Sequence, residues 1–304
     1  MTLVNRRTVL SGAIGVAAAA ANLRAYANLE AAPIAAGFTL LTGGGGNILV
    51  VSTPDGAVLV DSGASDAAQT LLPTVGEITG GGKVHTLFNT HWHLEQIGGN
   101  LELGRAGANI VAHEKTRLRL ATAYYVPELD AYRQPMPVQA QPTESFYTTG
   151  STAIGGRRIE YGYLIEAHTD GDAYVYFRDA NLIAVGDAIA PHRDVELDWF
   201  GGGWLGGRVD SLQHLLTITD ARTQFVPSYG APVGRAAVQA EHDTCKLLYE
   251  RFFERIRKGE TNEDMLAAGI LEGTGRTWND PAKFVYDAHK GFWGHNNTLS
   301  HDIV

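Results

Sequence analysis

The chain has 304 residues, of which 44% are hydrophobic and 19% charged, so it can bury a large core and is not disordered throughout. Its net charge is −9. Beyond residue 27 it carries 21 basic against 33 acidic side chains and no lysine or arginine run, which excludes charge-driven nucleic-acid binding. Cys245 is the only cysteine, which excludes an intrachain disulfide and a cysteine-built zinc site.

The first 27 residues have the composition of an export signal. They hold three arginines, two of them paired at positions 6 and 7, and no acidic residue. The Ala/Gly-rich run that follows is too short to span a bilayer, so we expect no stable membrane insertion. Small residues at positions 25 and 27 suit a signal peptidase, and the segment resembles a twin-arginine leader of bacterial export. We therefore expect a mature chain that begins near Asn28 and is periplasmic or secreted.

Strand and helix patterns alternate along residues 28–304. In the first half we predict two strands of a meander, one over 38–51 and one over 57–60, then a helix over 67–78, strands over 84–88 and 109–112, and a helix over 114–123. Residues 126–150 are rich in Pro, Gln and Thr and are predicted to form an irregular surface excursion. In the second half we predict strands over 158–165, 173–177, 182–185 and 224–226, with helices over 209–219 and 236–258. Alternation without an obvious linker indicates one α/β domain.

Side chains that suit a metal site stand in loops at the ends of predicted strands. His91 and His93 follow the strand over 84–88, and Glu95 stands two positions further on. Two histidines spaced in this way can turn both rings to one point, and imidazole and carboxylate groups are ligands for zinc, with iron and manganese as alternatives. The other candidates at strand ends are Asp61, His168, Asp187 and Tyr229.

The order of these motifs resembles the metallo-β-lactamase superfamily. The loop motif of that superfamily is T-H-x-H-x-D-H-x-G-G, and residues 90–99 here read THWHLEQIGG. The resemblance covers about residues 38–235. It implies a four-layered αββα sandwich as the core of a domain over residues 28–304, with residues 236–304 as a C-terminal helical extension.

The resemblance also assigns a first metal site. His91, His93 and His168 match its three histidines, and Asp187 matches the carboxylate that bridges two metals in the hydrolase branch. Asp61 matches an acid that orients the histidine loop, a need that metal-bound imidazoles often have. These matches imply one Zn²⁺ per chain, with Fe²⁺ or Mn²⁺ as alternatives.

Three departures from the pattern all fall on the second metal site. Glu95 replaces the aspartate of the motif, Gln96 replaces its next histidine, and Tyr229 stands where a late turn carries another histidine. A neutral amide and a phenol are poor zinc ligands, so we expect this second site to be empty or absent. The three residues are instead candidates for catalysis, with Glu95 as a general base and Tyr229 as a donor to a developing oxyanion.

Three readings of the function remain open at this point. In the first, a zinc-activated water hydrolyses an ester, lactone, thioester or amide. In the second, the chemistry is not hydrolytic: Glu95 and Tyr229 act as an acid/base pair in a lyase or isomerase, or His91, His168 and Asp187 hold iron as in an oxygenase. In the third, the chain is a degenerate member that binds a small ligand without turnover.

The substrate pocket is expected beside the glycine-rich segment over residues 198–207. Its aromatic residues, with Trp92 of the histidine loop, either line a pocket or pack the edge of the sandwich. These candidates for substrate binding are Trp92, Trp199, Phe200 and Trp204. Apart from Arg193 and Arg208 no basic residue adjoins the site loops, so a small neutral or apolar substrate is favoured over a phosphate ester. The helical extension could also cover a second copy in a homodimer, and the sequence leaves that open.

Overall fold

The computed structural model describes residues 29–126 and 130–296. The predicted leader over residues 1–27 lies outside the described residues. None of the helices within the described ranges combines the length and the apolar composition that crossing a bilayer requires.

Among the described residues, seven strands form the first sheet. In spatial order they are β1 (Glu30–Ala35), β2 (Phe38–Thr42), β3 (Ile48–Val51), β4 (Ala57–Val60), β5 (Val84–Phe88), β6 (Asn109–His113) and β9 (Glu144–Phe146). The first four form an antiparallel meander, whereas β4, β5, β6 and β9 run parallel. Between them the chain forms α1 (Ala68–Thr79), α2 (Leu94–Ile97), α3 (Asn100–Arg105) and α4 (Glu114–Ala121), and a separate hairpin of β7 (Tyr124–Val126) and β8 (Ala131–Arg133).

Six described strands form the second sheet. They are β10 (Thr149–Ile154), β11 (Arg157–Tyr163), β12 (Ala173–Phe177), β13 (Leu182–Gly186), β14 (Gln224–Pro227) and β15 (Val233–Gly234). All neighbours are antiparallel except β13 and β14, which are parallel and are connected through α5 (Leu205–Ile218). After β15 the chain forms α6 (Arg235–Ile256), α7 (Asn262–Ala267) and α8 (Pro281–Asn296).

The alternation of side chains along each strand builds the layers. In β4, Val58 and Val60 belong to the core between the sheets, whereas Leu59 belongs to the core under α1. In β13, Leu182 faces the core between the sheets and Ile183 faces the one that α5, α6 and α8 cover. Each sheet therefore buries both of its faces, and the fold is the predicted four-layered αββα sandwich with C-terminal helices.

Several element predictions need correction. The segment predicted as one strand over 38–51 is two strands, because the intervening glycines turn the chain; Gly43 and Gly45 have φ of 86° and 93°. The strand β1 was not predicted. The excursion over 126–150 is not irregular throughout, since β9 pairs with β6 and completes the first sheet. Three-residue strands of polar composition carry too little periodicity to be recognised.

The helix predicted over 209–219 begins earlier, at Leu205. Two glycines hide this start in the sequence, because glycine is normally a poor helix residue. At Gly207 a Cβ atom would clash with the carbonyl oxygen of Glu166, so the helix start packs too closely on the preceding loop for any side chain.

A buried ion pair fixes the loop that follows β13. Arg208 of α5 is fully buried, and its Nη2 lies 2.6 Å from Oε1 of Glu241 in α6. Its Nη1 donates to the backbone carbonyl of Asp187 at 2.9 Å, and Glu241 accepts from the backbone N–H of Ala190. Arg208 therefore supports the loop that follows β13. Because its side chain is fully buried, it cannot contact a substrate.

Candidate metal centre

The candidate residues gather at the carboxyl ends of the parallel strands. Asp61 directly follows β4, and the loop with His91 and His93 follows β5. From the second sheet, Asp187 directly follows β13, and His168 stands in the connection from β11 to β12. The imidazole rings of His91 and His168 have centroids 5.0 Å apart, so the two sheets bring their loops to a common point.

Three imidazoles form the centre of this site. His91, His93 and His168 each offer one ring nitrogen, and the three nitrogens lie within 4.8 Å of one another. His91 and His168 are fully buried. Among the described residues, Nε2 of His91 and both ring nitrogens of His168 have no hydrogen-bond partner. Buried polar atoms are normally satisfied, so this convergence of unpaired nitrogens fits a bound metal ion.

Asp61 acts on His91 through Thr90. The carboxylate accepts from the backbone N–H of Thr90 at 2.8 Å and from its hydroxyl at 2.7 Å. The Thr90 oxygen lies 3.0 Å from Nδ1 of His91, and since its proton goes to Asp61 it must accept from Nδ1–H. This arrangement fixes the tautomer of His91 in which Nε2 carries a free lone pair.

The pKa values of His91 and Asp61 agree with a site prepared for a cation, whereas the pKa of His168 is raised, because the effect of burial is outweighed by its interactions with Asp172 and Asp187. Burial, followed by the neighbouring His168, holds the pKa of His91 well below its usual value, so its ring is neutral as metal binding requires. Burial also raises the pKa of Asp61 to about 8, against the hydrogen bonds from Thr90. A positive charge at the histidines favours the ionised form of Asp61, so metal binding and the Asp61–Thr90 contacts support each other.

The other two histidines have their own carboxylates. Oδ2 of Asp198 lies 3.0 Å from Nε2 of His93, which leaves Nδ1 of that ring for a metal. Asp172 accepts from the backbone N–H of His168 at 2.5 Å and of Thr169 at 2.7 Å, and so fixes the His168 loop. Sequence reasoning missed both acids; the only signal for Asp198 was its place in the glycine-rich segment after β13.

The residues at the altered second site also lie together. Nε2 of Gln96 is 3.5 Å from Oδ2 of Asp187 and 3.4 Å from the hydroxyl of Ser228. The guanidinium of Arg193 lies 3.9 Å from the ring centroid of Tyr229. Burial, with the charge of Asp187, raises the pKa of Tyr229 to about 12, so its phenol stays protonated and can donate.

A cavity of about 340 Å³ opens beside the histidines. His93, Glu95 and the predicted aromatic residues Trp92, Trp199 and Phe200 line it, together with Tyr124 and Tyr125 of the β7–β8 hairpin, which the sequence did not suggest. The expectation that Arg193 and Arg208 are the only basic residues beside the site is wrong, because the cavity wall also contains Arg119, Arg133 and Lys283. Glu95 is exposed to this space. Trp204 is a correction to the predicted pocket wall: it packs against Phe292 and stacks on His295 at 3.7 Å, and it is not among the residues that line this cavity.

Comparison with known proteins fits this geometry. The sequence profile described as "Metallo-beta-lactamase superfamily" matches residues 41–227, which is more than half of the chain. The chain belongs to the metallo-beta-lactamase superfamily. A search of curated proteins returns no match.

Several solved structures share the fold at low sequence identity. A metallo-beta-lactamase from Pontibacter korlensis is 22% identical with a TM-score of 0.60, over 72% of this chain and 99% of that one. The DIM-1 metallo-beta-lactamase is 17% identical with a TM-score of 0.59, over 72% and 97% of the two chains. The stereoselective inverting sec-alkylsulfatase Pisa1 from Pseudomonas sp. is 13% identical with a TM-score of 0.63, over 89% of this chain and 50% of that one, so the present chain spans half its length.

The contact between Asp61 and Thr90 generates a prediction. Thr90→Val keeps the shape of the side chain but removes the hydroxyl that accepts from His91 and donates to Asp61. We expect the metal affinity to fall by about 10- to 100-fold, as for other partners of metal-bound imidazoles. Chelator competition measures this, and Thr90→Ser, which retains the hydroxyl, is the control that should bind like the unmodified chain. Equal affinity in the Val and Ser variants would contradict the role of Thr90.

Proposed function

We propose that the chain is a zinc-dependent hydrolase that acts on a small neutral or apolar ester, lactone, thioester or amide. The observation that carries this proposal is the group of three imidazole nitrogens, within 4.8 Å of one another, beside a cavity whose wall combines aromatic side chains with both acidic and basic ones. The cavity is of the size that takes a small organic molecule. Membership in a superfamily with metal-dependent hydrolases supports the same reaction class.

The donor set suits zinc. His91, His93 and His168 are nitrogen donors, and Asp187 stands close by with Oδ2 3.5 Å from Nε2 of His91. Three imidazoles with an open position are the ligand set of zinc enzymes such as carbonic anhydrase. His91, His93 and His168 would hold the zinc ion, which would supply a water activated for nucleophilic attack at neutral pH.

Glu95 is positioned to act as the general base. It stands in α2, two residues after His93, and its exposed carboxylate lines the cavity. It does not belong to the group of converging ligand atoms. A free carboxylate on the wall of the substrate cavity can take a proton from a water or return it to a leaving group.

Tyr229 and Gln96 supply neutral groups near Asp187. The phenol of Tyr229 keeps its proton at neutral pH, because burial and the charge of Asp187 raise its pKa to about 12. It can therefore donate a hydrogen bond, and we propose an oxyanion that develops on the substrate as the acceptor, although Tyr229 is not itself among the residues that line the cavity. Gln96 is buried and faces Asp187 and Ser228, so it acts on the carboxylate and not on the substrate.

The proposal predicts metal-dependent hydrolysis. Purified protein should hold about one zinc ion per chain and hydrolyse at least one member of a panel of esters, lactones, thioesters and β-lactams. His168→Ala should lose both the metal and the activity, since two imidazoles bind zinc far more weakly. His214→Ala, at an exposed histidine of α5, is the matched control that should keep both. An ion-free protein, or a metal-bound one inert on the whole panel, would contradict the proposal.

Glu95 provides a second test. As a general base, Glu95→Gln should keep the metal and lower kcat by about 10²- to 10⁴-fold. Elemental analysis and steady-state kinetics separate this outcome from the loss of metal that a ligand role would cause. Glu102→Gln, on the neighbouring helix α3, is a matched control with no expected effect. Unchanged kcat in Glu95→Gln would remove this residue from the mechanism.

We also propose that the chain is exported through the twin-arginine route. The support is the arginine pair at positions 6 and 7, ahead of an apolar run and a cleavage-compatible sequence. In a bacterial host with that route, mature protein recovered from the periplasm should begin near Asn28, and Arg6→Lys with Arg7→Lys should retain it in the cytoplasm. Fractionation and N-terminal sequencing measure this, with Arg24→Lys as the control. Unprocessed cytoplasmic protein from the unmodified gene would contradict export.

A further inference from the structure

Asp187 has a different neighbour on each of its two oxygens. Oδ2 lies 3.5 Å from Nε2 of His91 and so faces the histidine cluster. Oδ1 accepts from Nη2 of Arg193 at 2.6 Å. The carboxylate is only 4% exposed, so both oxygens face protein groups and not bulk water. Asp187 thus connects the three imidazoles to a guanidinium.

Arg193 is held at this place from several sides. Its guanidinium lies 3.9 Å from the ring centroid of Tyr229, and Nη2 also lies 3.0 Å from a carboxylate oxygen of Glu196. Its backbone carbonyl accepts a hydrogen bond from Arg276. Stacking on an aromatic ring and pairing with carboxylates are the contacts that fix an arginine geometrically. Arg193 therefore presents a fixed positive charge beside Asp187.

We propose that the guanidinium of Arg193 serves as the second cation of this site and restricts the centre to a single metal ion. It occupies Oδ1 of Asp187, the oxygen that a second ion would need if the carboxylate bridged two metals. A guanidinium is charged at every pH at which the protein is folded, so its repulsion of a divalent ion does not depend on pH. This inference rests on the proposed metal centre at the histidines.

The other groups around Asp187 are consistent with a guanidinium as the neighbour. Gln96 and Tyr229 are neutral, and each carries a hydrogen-bond donor near Asp187. The Asp187 carboxylate needs donors of this kind, because an ionised carboxylate only accepts hydrogen bonds. Nε of Arg193 is buried and has no hydrogen-bond partner among the described residues, so the guanidinium retains one unused donor. A divalent ion at the same place would instead need unprotonated nitrogen or oxygen donors.

It follows from this proposal that a new histidine beside Asp187 is not enough to create a second metal site. In Gln96→His the new ring would lie near Asp187, but Arg193 would still hold Oδ1 and still oppose a second charge. Only the combination with Arg193→Met, which removes the charge and keeps an unbranched side chain, frees the carboxylate. Arg193→Lys keeps the positive charge beside Asp187 and should therefore still exclude a second metal ion.

The experiment is a zinc titration followed by elemental analysis, with the cobalt(II) absorption spectrum as a second readout of the ligand set. We expect about one ion per chain in the unmodified protein, in Gln96→His and in Gln96→His/Arg193→Lys, but about two in Gln96→His/Arg193→Met. Tyr229→His with and without Arg193→Met repeats the comparison if the Gln96 variants fail to fold. Thermal unfolding identifies folded variants.

Arg157 provides the matched control. Like Arg193 it pairs with a carboxylate at 2.6 Å, here Asp179, and its guanidinium lies 4.6 Å from an aromatic centroid. Asp179 precedes β13 whereas Asp187 follows it, so Gln96→His/Arg157→Met should stay at about one ion. Two ions in Gln96→His alone, or one in Gln96→His/Arg193→Met, would overturn the inference. A zinc-free unmodified protein would instead contradict the proposed metal centre itself.

Discussion

The arrangement of this structure depends on one constraint. Among the described residues, ring nitrogens of the buried residues His91 and His168 are kept without hydrogen-bond partners in the protein. A buried polar atom without a partner costs free energy, so the surroundings must hold each ring in place by its other contacts. Here the loops that carry the rings come from both sheets: His91 and His93 follow β5, and His168 precedes β12. The core between the sheets, with Phe88 and Phe177 among its residues, therefore fixes the distance between the two halves of the site.

Each histidine is positioned by a separate carboxylate. Asp61 orients His91 through Thr90, Asp198 contacts His93 directly, and Asp172 fixes the backbone of His168. The three acids come from different connections of the fold, so no single loop movement can release all three rings. Asp198 also belongs to the segment whose Trp199 and Phe200 line the cavity, which couples the orientation of His93 to the wall that a substrate would contact.

The sequence was informative where spacing along the chain determines contact. Strand ends and the order of motifs predicted the fold class, and His91, His93, His168 and Asp187 do gather in the structure. Contacts across large sequence separations could not be predicted, such as the one between His93 and Asp198. Trp204 was assigned to the pocket because it stands in the same glycine-rich segment, but the start of α5 directs it towards α8. The ion pair of Arg208 and Glu241 was equally invisible, since each residue alone reads as a solvated charge on a helix.

Arg193 changes how the departures at the second site are interpreted. Viewed as sequence, Gln96 and Tyr229 are two lost imidazoles, and a decayed site would explain them. In the structure the same region holds a positive charge that is paired with Asp187 and stacked on Tyr229. A site that had simply lost a metal would leave Asp187 with an uncompensated charge in a buried position, which is costly. A guanidinium compensates that charge and a protonated phenol packs against it, so in our proposal Gln96, Tyr229 and Arg193 form one arrangement that stands around Asp187 in place of a second metal ion.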